Sequence, residues 1–360
     1  MALEVNISDT VDENYWNENL QKSPSSTIYQ VPSYSNVYKQ VFDSKPIFIT
    51  VKKNNELAGQ LAMLVHTKYY WKDSNVFSKT LGSQLNLNSI LRWEYGPIIH
   101  DSFDRQEILD EILLTIDRIA EENDVNMIRG TIYPLPDFDY NKSFERRGYS
   151  STCWATYITE LGQNPESLYD KLSKETRYDI RKSEKNDLEL EIVSSISSYQ
   201  EYSDLAFSSR VLAGEKRRNN SLFVEKFWAN LYDKGHLKVF LARKSGELLG
   251  AIENLVFNQN VIQYGIVNSQ KTQLLGGTFL TWNAIKWSME NNCRTYDMGG
   301  VNPNPTTDKE KSINFYKSKW GGKQLDYVRY VKVRKPGKTK LSAALSDPNK
   351  ISKKIQTFFK

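Results

Sequence analysis

The chain has 360 residues, of which 39% are hydrophobic and 12% aromatic, so we expect a globular protein with up to two ordinary domains rather than a disordered one. The formal charge of +5 is uneven, because nine basic residues and one acid lie between Lys332 and Lys360 and leave the rest net acidic. This distribution argues against a protein that wraps nucleic acid over its whole surface. The two cysteines have no CxxC or Cys/His spacing, so neither a disulfide framework nor a zinc site is indicated.

Long apolar segments and targeting signals are not evident in the sequence. No run of about 18 apolar residues occurs, and the first residues carry acids where a signal peptide would carry lysines and an apolar block. We therefore expect a soluble, cytoplasmic protein.

The first half of the chain predicts short helices, a hairpin and then alternating helices and strands. The predicted elements are helices at 12–20 and 34–42, hairpin strands at 46–51 and 56–66, a helix at 105–123, strands at 126–133 and 152–161, and a short helix before Gly148. The segment 69–88 is interpreted as an insertion.

The second half repeats this order, which indicates an internal duplication. Glu56-Leu-Ala-Gly59 matches Glu247-Leu-Leu-Gly250, and Trp93-Glu-Tyr95-Gly96 matches Ile262-Gln-Tyr264-Gly265. A helix at 278–292, a strand at 294–298, a short helix at 312–319 and a strand at 327–333 follow, and residues 165–232 add four helices and a strand. We predict two domains of one α/β type at 1–163 and 164–335, and a basic tail at 336–360.

The strand that ends at Gly299-Gly300 is the best candidate for chemistry, because two glycines allow a positive φ or a close approach to a ligand. Asp297 just before them could orient an incoming amine or accept its proton, or could cap the loop in an Asx turn. Arg177 and Arg181, four apart on one helical face, could grip a phosphate or carboxylate, or form a solvated basic face with Glu175 or Glu184.

Three segments carry a resemblance to a known family. They are Tyr296-Asp-Met-Gly-Gly300 followed by Tyr316-Lys-Ser-Lys-Trp-Gly321, the run Arg177-Tyr-Asp-Ile-Arg181-Lys, and Tyr95-Gly96-Pro97. Together with the element order, they resemble the FemABX family of peptidoglycan interpeptide-bridge aminoacyltransferases. The resemblance implies a fold class of α/β (α+β) type with two tandem GNAT-like domains, each a mixed central sheet flanked by helices. The long coiled-coil arm of many members is not expected, since no heptad run lies between Ser194 and Leu237.

The resemblance also implies roles for individual residues. Lys317 occupies the position of the family lysine and would be the cation that stabilises the oxyanion of acyl transfer, with Asp297 as the second catalytic residue. The alternative for Lys317 is a solvated helix lysine beside Lys319. Lys39 would lie near acceptor phosphates or be an ordinary surface lysine, and Tyr95 falls in the family's Gly-Pro strand. Tyr264 and Tyr316 would be aromatic walls of the cleft, or core residues.

The resemblance implies an enzyme that moves an aminoacyl group from aminoacyl-tRNA to an amine of a peptidoglycan-type cell-envelope precursor. Two alternatives remain open: an N-acyltransferase that uses acyl-CoA on an amino sugar of capsule or O-antigen, and a membrane-docked binding protein without activity. Gln273 and Gly276 partly fit an acyl-CoA loop and favour the first alternative, whereas Lys317 and the double domain favour aminoacyl-tRNA. No bound cofactor is expected.

The end of the tail has a separate amphipathic pattern. Residues 347–360 place Ile351, Ile355, Phe358 and Phe359 on one face and lysines towards the other. Such a helix could lie on an anionic membrane surface, as a peripheral protein at its inner face, or dock onto the second domain.

Overall fold

The computed structural model describes residues 3–67, 85–134, 139–212, 221–269 and 276–345. The chain divides into two compact units. The first unit is Met1–Thr152 with Val328–Lys360, and the second is Cys153–Tyr327. Each is an α/β unit with a mixed sheet, as the sequence predicts.

The first unit follows the predicted order of helix, hairpin, helix and strand. Its strands are β1 (Leu3–Ser8), β2 (Lys45–Lys53), β3 (Glu56–His66), β4 (Ile90–Trp93), β5 (Ile98–Ile99) and β6 (Met127–Thr131). Its helices are α1 (Glu13–Gln21), α2 (Pro32–Phe42), α3 (Arg105–Glu122) and α4 (Asn141–Arg146), with a 3₁₀ turn at Ile28–Gln30. Strand β1 has no counterpart in the prediction, although Leu3, Val5 and Ile7 alternate with polar residues, and Leu3 and Val5 pack against the core.

The sheet of the first unit runs in the order β1-β2-β3-β4-β6, with β4 and β6 parallel. Its main core lies under α3, whose Ile108, Ile112 and Ile116 are fully buried against β2 and β3. Asp104 starts α3 by accepting hydrogen bonds from the N–H groups of the first turn. The amphipathic pattern of α3 therefore decides which face of the sheet is covered.

The second unit carries the longer set of helices. Its strands are β8 (Glu189–Ile192), β9 (Leu237–Lys244), β10 (Glu247–Phe257), β11 (Asn260–Asn268) and β12 (Thr295–Val301), with most of β7 (Ser150–Glu160) and the first part of β13 (Lys323–Val333). Its helices are α5 (Pro165–Lys171), α6 (Lys174–Glu184), α7 (Ile196–Leu212), α8 (Ser221–Leu231), α9 (Gly276–Glu290) and α10 (Asp308–Ser318). The sheet order is β7-β12-β11-β10-β9-β8, with β11 and β12 parallel.

The core of the second unit lies between the sheet and α9. Leu280, Ala284 and Ile285 of α9 are fully buried, and Tyr296 and Trp320 complete this cluster. Strand β12 differs from the prediction, because it does not end at Met298 but continues through Gly299-Gly300 to Val301. The glycines therefore lie within a strand that changes register, not after its end.

The repeat is preserved in the sheet register. In the first unit the parallel pairing of β4 with β6 ends at Trp93 opposite Gly130, and in the second that of β11 with β12 ends at Ile262 opposite Asp297. Trp93 and Ile262 are matched positions of the sequence repeat. Each unit therefore opens its parallel strand pair at the same point.

The last strand of each repeat pairs outside that repeat. Residues 155–160 of β7 pair with β12 in the second unit, whereas residues 329–333 of β13 pair with β6 in the first. The compact units thus differ from the sequence boundaries 1–163 and 164–335, because strand pairing is set by contacts remote in sequence.

The basic residues just before the tail are held by acidic residues of α3 and the turn after it. Lys332 contacts Asp117 at 2.7 Å, Arg334 pairs with Glu121, and Lys335 pairs with Asp124. A final helix, α11 (Pro336–Leu345), follows. The predicted amphipathic segment 347–360 and most of the predicted insertion 69–88 lie outside the described residues, and no described helix has the length and apolarity needed to cross a membrane.

We predict that Phe144→Ala destabilises the first unit, because Phe144 is fully buried and stacks on Tyr330 of β13 with ring centroids 3.7 Å apart. The loss should be about 3–5 kcal/mol in free energy of unfolding, measured by chemical denaturation. Leu114→Ala is the control, since Leu114 is 52% exposed, and should cost less than about 1 kcal/mol. Equal losses would contradict the packing of β13 against α4.

Candidate active site

The candidate site lies where β11 and β12 separate. Beyond the last parallel pair, Ile262 with Asp297, β11 continues to Asn268 and β12 to Val301. The pairing of β10 with β11 shifts register and leaves Tyr264 as an extra residue, and the pairing of β12 with β7 shifts between Asp297 and Gly300. Bulges on both strands at the same level redirect their backbones and open the sheet.

Gly299 lies at this opening and is held by the carboxylate of Asp297. Its N–H donates to Oδ1 of Asp297 at 2.7 Å, and the hydroxyl of Thr156 on β7 donates to the same oxygen. Asp297 is only 3% exposed, and Gly299 has φ +77°. The Asx-type bond expected for Asp297 is present, and it holds a left-handed backbone that favours glycine.

Lys317 reaches the same glycines from the last turn of α10. Its Nζ donates to the carbonyl of Gly299 at 2.9 Å and to that of Gly300 at 3.1 Å. Burial lowers the pKa of Lys317 to about 8, an effect that the charge of Asp297 opposes. Lys317 is therefore not a solvated helix lysine, and since an ammonium carries three hydrogens, one remains beyond these two carbonyls.

Two predicted aromatic residues have different environments. Tyr264, the bulged residue of β11, is 36% exposed and stacks on Phe227 of α8 with centroids 5.5 Å apart. The hydroxyl of Tyr316 donates to the carbonyl of Gly277 at 2.9 Å and lies 2.7 Å from Oγ1 of Thr281. Tyr264 therefore lies at the opening, whereas Tyr316 ties α10 to the first turns of α9.

The two predicted acyl-CoA loop residues are only partly placed. Gly276 begins α9, and a Cβ atom there would lie 3.2 Å from Oδ1 of Asn268 at the end of β11. Gln273 lies outside the described residues.

The predicted arginines lie on α6. Arg181 donates to the hydroxyl of Tyr169 at 3.0 Å, and Arg177 lies 4.0 Å from the carboxylate of Asp170. Neither forms the predicted pair with Glu175 or Glu184 in the contacts described. Asp179 of the same helix contacts Lys319 at 3.5 Å, which connects α6 to the residue two positions after Lys317.

The structure places Lys39 and Tyr95 in the first unit, whereas Lys317 belongs to the second. Lys39 is exposed on α2. Tyr95 is 6% exposed, donates its N–H to Oγ1 of Thr131 at 3.0 Å and makes an edge contact with the ring of Tyr133. Tyr95 is thus mainly a packed residue after the end of β4.

Sequence reasoning missed two residues of the opening. The backbone carbonyl of Gln263 lies 3.3 Å from the position of a Cβ atom on Gly299, and the repeat match around Tyr264 could have identified it. Thr156 was not identified, because its strand was assigned to the domain at 1–163, whereas residues 155–160 pair with β12 of the second unit. Within the described ranges no group of three or more His, Cys, Asp or Glu residues could hold a metal ion.

We predict that Gly299→Ala destabilises the second unit by about 2–3 kcal/mol, because the new methyl group would need a left-handed backbone and would crowd the Gln263 carbonyl. Gly246→Ala is the matched control, since Gly246 has φ +82° with no atom within 4 Å of the added Cβ, and should cost about 1 kcal/mol. Denaturation curves of both variants would measure the difference. Equal losses of stability in the two variants would show that the Gln263 carbonyl leaves room for a methyl group on Gly299.

Comparisons with known proteins agree with this architecture. Residues 170–317 match the family model described as acetyltransferase (GNAT) domain. The solved structure of FemX superposes with a TM-score of 0.73 at 14% identity, over 95% of this chain and 99% of that one. A tandem GNAT protein from the clavulanic acid biosynthesis pathway gives a TM-score of 0.58 at 12% identity, over 92% and 98%.

A third solved structure is the C-terminal domain of a putative lysylphosphatidylglycerol synthetase from Agrobacterium fabrum. Its TM-score is 0.53 at 10% identity, over 91% of this chain and 96% of that one. No curated protein matches the sequence. The chain therefore has the tandem GNAT fold that the resemblance to the FemABX family implies.

Proposed function

We propose that the chain transfers an acyl or aminoacyl group to an amine, and that the second unit holds the transfer site. The observation that carries the proposal is the largely buried ammonium of Lys317, fixed by two backbone carbonyls where β11 and β12 separate. The FemX-like fold and the acetyltransferase (GNAT) match support the same class of reaction.

Lys317 would stabilise the oxyanion that forms when an amine attacks the donor carbonyl. Its third N–H can be directed at that oxygen, and one such preorganised donor contributes about 3 kcal/mol to transition-state stabilisation. Because the ammonium is already held by Gly299 and Gly300, little reorganisation accompanies the reaction.

Asp297 would act through the backbone as well as through charge. Its carboxylate holds the Gly299 N–H, and it lies near enough to Lys317 to oppose the lowering of the lysine pKa. In the reaction, the amine nitrogen forms a bond to the carbonyl carbon and the bond to the donor oxygen or sulfur breaks. The amine proton passes to that leaving atom.

We propose aminoacyl-tRNA as donor and an amine of a peptidoglycan-type cell-envelope precursor as acceptor. The support is the fold shared with FemX and the position of Lys317 in the family motif. A second candidate, acyl-CoA as donor to an amino sugar, is favoured by the paired glycines Gly276 and Gly277 that begin α9 after β11. Cytoplasmic localisation and contact of residues 347–360 with a membrane belong to the same proposal, because such precursors can be lipid-linked.

We predict that Lys317→Met retains the fold but lowers transfer at least about 100-fold, because it removes an oxyanion donor. The measurement uses labelled aminoacyl-tRNA or labelled acetyl-CoA with an envelope-precursor extract. Label that moves from tRNA selects the first donor, and label that moves from acetyl-CoA selects the second.

The matched control is Lys311→Met, an exposed lysine of the same helix whose contact with Asp308 is on the surface. It should stay within about twofold of the unmodified chain, since exposed ion pairs contribute little. Full activity of Lys317→Met would remove this lysine from the mechanism, and no transfer from either donor would favour a binding protein.

We predict that the rate falls as pH rises through about 8, because Lys317 with its lowered pKa is charged below that pH and neutral above it. Lys317→Arg should be less active but should lose this fall, since arginine keeps its charge. A pH–rate profile at saturating substrate tests both. A rate that rises through this range in the unmodified chain and not in Lys317→Arg would instead make Lys317 a base.

A further inference from the structure

A buried carboxylate lies beside the opening without contacting Lys317 or Asp297 in the described bonds. Glu253 of β10 is 4% exposed, and its two oxygens accept from the hydroxyls of Tyr199 at 2.6 Å and Tyr202 at 2.9 Å. Burial raises the pKa of Glu253, while the two tyrosine hydrogen bonds and the charge of Arg210 oppose this. Such a group is costly to bury and is retained only with both oxygens bonded.

These two bonds fasten α7 to the sheet. Tyr199 and Tyr202 are the buried side chains of this 17-residue helix, and both end on Glu253. The contact point is next to the bulge, because Glu253 pairs with Gly265 and Asn254 pairs with Gln263, which leaves Tyr264 between them. The position of Glu253 therefore determines where α7 meets the bulged strand.

The backbone of Gly265 on β11 lies directly against the hydroxyl of Tyr202 on α7. A Cβ atom on Gly265 would lie 2.7 Å from the hydroxyl of Tyr202, a distance that real side chains do not reach. The hydroxyl thus packs directly against the backbone of the residue after Tyr264. Glycine is needed here because a polar group occupies the place of a side chain.

A series of aromatic contacts leads from the Glu253–Tyr199 hydrogen bond to Tyr264. Tyr199 contacts the ring of Trp228 on α8 at 5.5 Å, and the neighbouring Phe227 stacks on Tyr264. This series begins at the carboxylate of Glu253 and ends at the exposed ring of Tyr264 at the opening. Displacement of α7 would therefore move α8 and the bulge together.

The first unit has a comparable set of buried hydrogen bonds at the matched positions of the repeat. Gly96 corresponds to Gly265 in the repeat, and its Cβ atom would lie 2.6 Å from Nε2 of buried Gln30. Gln30 accepts from the N–H of Ala62, the counterpart of Glu253, and donates to the carbonyl of Glu94, each at 2.8 Å. Both units therefore support the strand beside the opening with a buried polar side chain, supplied by different residues.

We propose that Glu253, clamped by Tyr199 and Tyr202, is a positioning residue that holds the Tyr264 bulge and thereby the wall of the opening in its transfer geometry. This inference rests on the proposed function for its effect on turnover, but the clamp itself is a property of the fold. Displacements near 1 Å at a reacting centre lower rates about 100-fold, so a clamp of this kind acts on kcat.

The test compares Glu253→Gln and Tyr202→Phe with the unmodified full-length chain. In Glu253→Gln the carboxylate charge is lost and one oxygen becomes an N–H₂ group, which can only donate to the tyrosine oxygen. The clamp therefore exchanges charge-assisted bonds for weaker neutral ones without a change of shape. We expect hydrogen–deuterium exchange of residues 262–268 to become about tenfold faster or more in both variants. We also expect kcat to fall about tenfold or more, with little change in the KM of the amine.

Tyr330→Phe is the control, because it removes a buried tyrosine hydroxyl bonded to Asn141 in the first unit. Its exchange at 262–268 and its kcat should equal those of the unmodified chain. Unchanged exchange in Tyr202→Phe, or in Glu253→Gln if that variant folds, overturns the clamp. Faster exchange with an unchanged kcat overturns its role in transfer, while inactivity of the unmodified chain on either donor overturns the proposed function and leaves the exchange result to decide the clamp.

Discussion

The structure of the site depends on how one residue, Gly299, is held. The Asp297 carboxylate accepts a hydrogen bond from its N–H, and the Lys317 ammonium donates one to its carbonyl. Two opposite charges therefore stabilise the left-handed backbone of this residue. This arrangement keeps β12 away from β11 beyond Ile262, and it keeps the lysine charge in a largely buried place. An apolar residue at either position would remove the hydrogen-bond partner of a Gly299 backbone group at a point where β11 and β12 no longer pair.

The two units reach an open strand pair by different side chains. The second uses the carboxylate of Glu253 with two tyrosine hydroxyls, and the first uses the amide of Gln30. In both, a glycine admits the polar group against the backbone. The geometry of the opening has thus been kept across the internal repeat while its supporting chemistry differs, which points to the opening as the feature that the fold must preserve.

Much of this fold is predictable from sequence, because hairpins and amphipathic helices carry local periodicity. The repeat around Gly59 and Gly250 identifies the matched strands, and the motif residues Asp297 and Lys317 are brought together. Partners remote in sequence were not predictable. Thr156 bonds Asp297 across 141 positions and Glu253 bonds Tyr199 across 54, and no local pattern encodes such pairs. Strand β1 was missed although its alternation of Leu3, Val5 and Ile7 with polar residues is a local strand signal.

The pairing of β13 with β6 has a consequence for biogenesis. A ribosome releases the chain from its N-terminus, so the sheet of the first unit waits for residues 329–333 before its last ladder can form. Nearly 200 residues of later chain must emerge in the meantime, as the 189-position span of the Tyr330–Asn141 bond shows. The half that is made first is therefore completed last, and its β6 edge stays unpaired by β13 during synthesis.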